Sequence, residues 1–463
     1  MSALAIAVLS RAPFFTWPLT VDEGSYAYTA HWWARGLTLY SNALWFDRPQ
    51  AIFLAYALGN RLLGESTIAI RLWGAVWAAA TAYGSYLIAL RLWGRREAFV
   101  ALVLSATFSA APHIEGFTSN AETFMILPAV FSAYCLLVDR RVAAGLLAGC
   151  SAVLKPSGVV ALVFGCLWLA RAKRDRRAIP WFVAAASLPL IVSVTHAWVT
   201  VGLSRYAEAV LLYRLRVNTS RAFMSEGTPL LGLALTFPVW APLLLGTVEG
   251  LRSSRRDTRL FGHLWIVTAS LGVAMGGHWL MHYFLQLVVP LATLASRGVV
   301  AAWDKVSAGT PAAIAPLMMA SALLFAFIEG TFLFEPAAVG TSRLYARPPY
   351  LVSGQVAQYL RGHSAKGDTL YVAFYEAEIY HLAEMQGTSR FLFRLDLDEL
   401  DGAFDSVVRD IEAEKPTFVV DFNQPLAPVR DRERFYRALH LHYDVAQSFE
   451  SAVIYRRASR SAH

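Results

Sequence analysis

Asp22 and Glu23 stand side by side in the stretch VDEGSYAYTAHWWARGLTLYSNALWFDRPQ, Val21 to Gln50, which ends in Asp47-Arg48-Pro49. A carboxylate can take a proton from a hydroxyl, and an arginine can hold a phosphate through two parallel hydrogen bonds. The plainer reading is that acids just outside an apolar span are solvated residues that set topology. Further polar residues recur at similar places. The segment APHIEGFTSNAETFMILP carries His113, Glu115, Asn120 and Glu122. Glu122 stands at the mouth of an apolar run, where it either meets a partner or simply caps a helix. Lys155 precedes Pro156 and Gly158 at a helix break, and a lone lysine there commonly snorkels to the interface. Arg205, Tyr206, Arg214, Arg216 and Arg221 sit in a polar stretch that reads plainly as an interfacial helix touching anionic headgroups. His278 and His282 are four apart, a metal-binding spacing on a helix, but the glutamate that usually accompanies it is missing.

These residues need a scaffold, and composition says which kind. Hydrophobic residues make up 56% of the chain and charged ones 16%, with a mean hydropathy of +0.43. A soluble domain runs to about a quarter charged, so this is a membrane composition. The formal charge of +8 sits in short clusters between apolar runs, as topology requires, and does not call for nucleic acid. Cys135, Cys150 and Cys166 fall inside apolar stretches and read as small core residues, with no disulfide framework or thiolate metal site.

Apolar runs near 1–19, 67–90, 97–112, 122–138, 142–155, 157–171, 179–199, 229–250, 259–276, 279–297 and 311–334 predict a helical bundle of about eleven spans. The first is short before Arg11, which suggests a written start downstream of the true one. It lacks the basic region and cleavage site of a signal peptide. Clusters at Arg91/Arg95/Arg96, Arg140/Arg141, Arg171–Arg177 and Arg252–Arg259 belong inside. The loops 20–66, 112–121, 200–228 and 276–278 then face outward, and so does the tail. Those outward loops hold the acids and cations named above. Together they suit a phosphate-bearing lipid substrate attacked by a hydroxyl, with an acid taking the proton and cations stabilising the phosphate.

The order of parts resembles the GT-C fold transferases that use polyprenyl-phosphate sugars, in the glycosyltransferase family 39, protein O-mannosyltransferase and lipid A aminoarabinose transferase group. The resemblance rests on Asp22-Glu23, Trp45-Phe46-Asp47-Arg48-Pro49, Ala69-Ile70-Arg71-Leu72 and Glu115-Gly116-Phe117 through Asn120-Ala121-Glu122. Leu154-Lys155-Pro156 and His282-Tyr283-Phe284 through Pro290 complete it, over roughly the first 300 residues. It implies an inverting membrane glycosyltransferase of the cell (inner) membrane, acting on its extracytoplasmic face. Asp22 is the implied general base, with Glu23 and Glu122 as further catalytic acids. Arg48 replaces a lysine that grips the donor phosphate in relatives. Arg71, Glu115, Asn120, Lys155, His282 and Tyr283 are implied substrate-side or structural contacts. The implied donor is a lipid-linked sugar and the acceptor a protein, lipid or cell-envelope glycan. The resemblance leaves a divalent cation at Asp22 and Glu122 open, since some such enzymes need one and others do not.

The tail is a different material. Runs at Thr369–Tyr375, Arg390–Arg394, Pro416–Phe422 and Ser451–Arg456 predict strands, and Leu397–Glu414 carries a helical apolar stripe. The expected division is a membrane domain over 1–340 and a small α/β domain over 345–463. Tyr375, Glu376 and Glu378 invite a sugar, but acids also favour a helix N-terminus. No Gly-rich phosphate loop follows the first strand. The competing function is a transporter or flippase of lipid-linked sugars. Such proteins often show internal repeats and charges near the bilayer midplane. Here no repeat is visible and the acids cluster at span mouths.

Overall fold

A computed structural model describes residues 3–171, 176–219, 229–311, 313–345, 349–374, 376–422 and 432–458. Lys173 and Arg174 of the Arg171–Arg177 cluster, Arg221 and Tyr375 lie outside the described residues. The apolar runs become helices: α1 (Ala3–Leu9), α2 (Val21–Ala34), α3 (Ala51–Leu63), α4 (Thr67–Leu92), α5 (Arg95–Phe108), α6 (Ala121–Leu137), α7 (Arg141–Leu154) and α8 (Val160–Ala170). Later come Ile179–Val201, Phe237–Arg252, Arg256–Met275, Leu285–Ser307 and Ile314–Thr331. Ile179–Val201, Met281–Ser307 and Ile314–Thr331 are long and apolar enough to cross a membrane. A fourth arises if Pro229–Leu235 and Phe237–Arg252, bent by 85°, count as one span. The apolar helices α6, α7 and Pro156–Ala170 are shorter, so the expected total of about eleven is not established. Trp181, Val199 and Phe327 stand exposed along the long helices, an outer surface suited to lipid.

The first expected span is not one continuous helix. α1 has seven residues, and a 3₁₀ turn, Ala12–Phe14, follows around buried Arg11. Arg11 donates to Ser109 O (2.6 Å) and Gly116 O (3.2 Å), tying this turn to the loop after α5. Small residues set the bundle's closest approach. A Cβ on Gly298 would lie 2.0 Å from Gly246 O, so Phe237–Arg252 and Leu285–Ser307 pack backbone to backbone.

The tail forms a five-stranded sheet in the order β2-β1-β3-β5-β4, with β1 Thr369–Ala373, β2 Gln386–Gly387, β3 Phe418–Asp421, β4 Tyr443–Ser448 and β5 Val453–Arg457. β1 pairs parallel with β2 and β3, and β5 pairs antiparallel with β3 and β4. All four residues of β3 are buried, as in a strand covered on both faces. Arg390–Arg394, expected as a strand, is none: Phe391 and Phe393 pack edge-on against Trp45 and Phe46 at 5.9 and 5.6 Å. The expected helix over Leu397–Glu414 is two helices, Arg394–Glu399 and Ala403–Glu412, parted at Gly402, whose φ is +71°. The second buries Val407, Val408 and Ile411, as the apolar stripe predicts.

Candidate active site

Glu23 and Asp22 part company at the first turn of α2. Thr20 caps that helix: its hydroxyl accepts from Glu23 N, and Glu23 Oε2 accepts from Thr20 N at 3.1 Å. Arg71 on α4 grips the same carboxylate, with Nε 2.7 Å from Oε1 and Nη2 2.8 Å from Oε2. Ser119 N adds a donor at 2.8 Å, and Arg71 also donates to Phe14 O and Pro18 O, each at 2.9 Å. Both side chains of the pair are 0% exposed. Glu23 and Arg71, expected as a catalytic acid and a substrate-side contact, are thus enclosed by each other and by protein groups. They are a buried strut that sets the helix carrying Asp22 and the loop carrying Asn120.

Asp22, about one helical step of 100° away, keeps 31% of its side chain exposed. Its Oδ2 lies 3.7 Å from His282 Nε2, and His282 Nδ1 lies 2.6 Å from Glu115 Oε2. The imidazole thus stands between two carboxylates and can pass or hold a proton on either ring nitrogen. Glu115 has φ +50°, a left-handed conformation that costs a non-glycine residue about 1 kcal/mol or more. Arg11 fixes the loop that holds it there. Asn120 Nδ2 donates to Glu115 Oε2 at 3.4 Å.

Cations surround the acids. Lys155, in the break between α7 and a 3₁₀ turn over Pro156–Val159, is buried in an ion pair with Glu122. Its Nζ also lies 4.3 Å over the ring of Tyr283. Lys155 is therefore not snorkelling, and Glu122 has both a first-turn position and a partner. Arg48 Nη1 meets Asp47 Oδ1 at 2.7 Å, and Arg214 pairs with the other oxygen of Asp47. Tyr40 donates to Arg48 O at 2.7 Å and steadies the turn. Burial pushes the Asp22 carboxyl above its ordinary value, while His282, Arg48 and Lys155 pull it back. Burial acts the same way on Asp47, but Arg214 and Arg48 outweigh it and hold that carboxyl below its ordinary value.

Two buried polar atoms at the site have no hydrogen-bond partner among the described residues: Arg48 Nε and Asn120 Oδ1. Such atoms normally find partners, and here a donor and an acceptor wait in one site. Among the described residues no three His, Cys, Asp or Glu side chains form a metal group. The Lys155 ammonium already neutralises Glu122, and Asp22 faces an imidazole. This donor set does not fit a divalent cation at Asp22 and Glu122.

The structure brings Asp22, Arg48, Glu115, Asn120, Glu122, Lys155, His282 and Tyr283 into one neighbourhood, drawn from four separate stretches of chain. It does not put His278 and His282 on one helical face, because Trp279 has φ +53° and the helix begins only at Met281. Asp47 and Arg214 join the site although the sequence reading gave neither a site role. An acid directly beside Arg48 was the available signal for Asp47. Arg214, read as a headgroup contact, offered none. Glu378 opens the short helix Glu378–Leu382 and accepts from Ser353 Oγ at 2.6 Å, as the helix-terminus reading expects.

A bundle of apolar helices followed by a small terminal sheet is the architecture expected of the GT-C fold, and comparison with solved structures bears out that fold. ArnT from Cupriavidus metallidurans bound to undecaprenyl phosphate superposes with a TM-score of 0.69 at 14% identity, covering 99% of this chain and 97% of that one. The same protein in the apo state gives 0.64 at 15% identity, over 99% and 96%. The archaeal oligosaccharyltransferase AglB from Archaeoglobus fulgidus, in complex with an inhibitory peptide and a dolichol-phosphate, gives 0.54 at 13% identity, over 90% and 69%. No protein-family profile and no curated protein sequence matches the chain. The likeness is one of fold.

Proposed function

We propose that the chain is a multi-pass membrane glycosyltransferase that moves a sugar from a polyprenyl-phosphate donor to an acceptor hydroxyl, with inversion. One observation carries this reading most: a partly exposed carboxylate, Asp22, shares a site with Arg48 and Lys155 on a fold that holds undecaprenyl phosphate in ArnT and dolichol-phosphate in AglB. Asp22 takes the proton as the acceptor oxygen bonds to the anomeric carbon. The bond from that carbon to the phosphate oxygen breaks, and polyprenyl phosphate leaves with its charge held by Arg48 and Lys155. Arg48 Nε is the natural donor to that phosphate, and Asn120 Oδ1 an acceptor for a sugar hydroxyl. His282, backed by Glu115, orients Asp22. The reaction belongs on the extracytoplasmic face of the cell membrane, where nucleotide sugars are absent, and the acceptor is a protein, lipid or envelope glycan. We further read 1–340 as the catalytic membrane domain and 345–463 as a small extracytoplasmic domain.

Purified protein should release free polyprenyl phosphate from a synthetic polyprenyl-phosphate sugar when an acceptor is added, with no nucleotide present. Turnover of a nucleotide sugar in place of the lipid donor would overturn the reading.

A further inference from the structure

A second cavity of about 240 Å³ adjoins this site, and its side chains are unused by the chemistry above. Three segments wall it: the loop after α2 through Tyr40 and Trp45, the run Leu203–Thr219 through Arg205 and Arg216, and the tail through Arg390 and Asp401. Two packed aromatic side chains line one side. Trp45 sits edge-on to Tyr213 at 4.9 Å, and Tyr40 edge-on to Tyr206 at 5.2 Å.

Arg216 is 3.9 Å from Glu208, and Arg390 donates to Asn42 Oδ1 at 3.1 Å while lying over the Phe391 ring. Arg205 makes no ion pair or hydrogen bond among the described residues. Among the described lining, three guanidiniums outnumber the carboxylates of Glu208 and Asp401. Apart from the two aromatics, only Leu400 among its described lining is apolar, so the cavity is a poor seat for an acyl or polyprenyl chain. Aromatic faces take the C–H side of a pyranose, acids and amides take its hydroxyls, and guanidiniums take a carboxylate or phosphate in pairs of hydrogen bonds. The cavity also shares a loop with the candidate phosphate cation. Tyr40 donates to Arg48 O, and Trp45 precedes Phe46-Asp47-Arg48.

We propose that this cavity binds an anionic sugar ring of the acceptor, one that carries a carboxylate or a phosphate. The assignment to the acceptor rests on the transferase reading above. The test uses the full chain in phosphatidylcholine nanodiscs, with binding of glucuronate, glucose 6-phosphate and glucose followed by saturation-transfer NMR and calorimetry. At least one anionic sugar should saturate, and glucose should bind about tenfold more weakly or worse. Which anionic sugar wins separates carboxylate from phosphate. Arg205→Ala and Arg390→Ala should each weaken the anionic sugar about tenfold, and Arg390→Lys should restore part of the loss. Arg205 is exposed, so its variant remains informative if Arg390→Ala disturbs the Asn42 contact. Equal affinity for glucose, unchanged binding in both alanine variants, or inorganic phosphate binding as tightly as the sugar phosphate would each overturn the proposal. Loss of sugar binding on adding phosphatidylglycerol to the nanodiscs would assign the cavity to a lipid headgroup and overturn it too. Polyprenyl phosphate binding to wild type, measured in parallel, reports separately on the transferase reading. If that binding is absent the transferase reading fails, while the sugar titrations still decide the cavity.

Discussion

Exchanging the two neighbouring acids one at a time should produce opposite defects. Glu23 is fully enclosed and receives both arms of Arg71, Thr20 N and Ser119 N. Glu23→Ala strands the Arg71 guanidinium in the bundle without its counter-charge, and breaking a buried pair in this way costs about 3–5 kcal/mol. That is a large part of the roughly 5–15 kcal/mol that a typical domain has in hand. The expected result is an unfolding midpoint several degrees lower and a poor yield from the membrane. Glu23→Gln keeps the shape and loses the charge, so it should fall between. Asp22→Asn is nearly isosteric at a partly exposed position, so its effect on stability should stay within about 0.5 kcal/mol. An amide cannot take the acceptor's proton, however, and lost base catalysis costs about 10²–10⁴ in rate. Both variants would be purified in the same detergent, with unfolding followed by intrinsic fluorescence and turnover by release of polyprenyl phosphate. Wild-type stability with abolished turnover in Glu23→Ala, or near-normal turnover in Asp22→Asn, would refute the division of roles.

Arg48→Ala should weaken polyprenyl phosphate binding at least about tenfold, because a charge-assisted pair is lost from a buried position. Arg35→Ala should do little, since Arg35 is 54% exposed, and equal effects would point to generic positive charge. The turnover rate should have an acid limb above the ordinary carboxylate range, because burial raises the Asp22 pKa and only the ionised form serves as base. His282→Gln removes a positive partner and should move that limb to higher pH; a shift to lower pH would contradict the placement of His282. Burial holds the Asp396 carboxyl up at about 7 while Tyr213 donates to it at 2.6 Å. Its folded pKa lies above its unfolded one, so its contribution to stability is present at low pH and lost as pH rises towards and through 7. Asp396→Asn should flatten that fall, as read by limited proteolysis of the tail between about pH 4 and 8.

The residues of the candidate site stood out in the sequence because charged groups at the mouths of apolar runs are costly unless they have work or partners. It could not say which of two adjacent acids faces inward. That depends on the helix phase of α2, which Thr20 fixes by capping at Val21. Arg71 looked equally open to substrate until three carbonyl and carboxylate partners closed around it. In the tail, β1, β3 and β5 were legible as apolar runs. β4 was not, because four of its six residues are exposed and its sequence, Tyr443 to Ser448, shows no alternation. The run at Arg390–Arg394 has three apolar residues between its arginines, yet its two phenylalanines turn toward a partner distant in the chain and not toward a sheet.

That partner is the loop proposed to carry the chemistry, which changes what the tail is for. A Cβ on Gly24 would fall 2.2 Å from Glu378 Cα, so α2 and the tail helix approach as closely as two backbones can. Gly387 N donates to Tyr28 OH at 2.9 Å, and His381 Nε2 lies 2.9 Å from Glu65 O. With Phe391 on Trp45, Phe393 on Phe46 and Asp396 on Tyr213, the tail touches both the loop that follows α2 and the run Leu203–Thr219. Contacts this buried do not suit two independently moving bodies. A loop of this length carrying a base and a phosphate cation would otherwise sample many geometries, and misplacement by about 1 Å is enough to cost a hundredfold in rate. On the proposed function the tail would therefore bear on catalysis through position alone, by holding that loop in place.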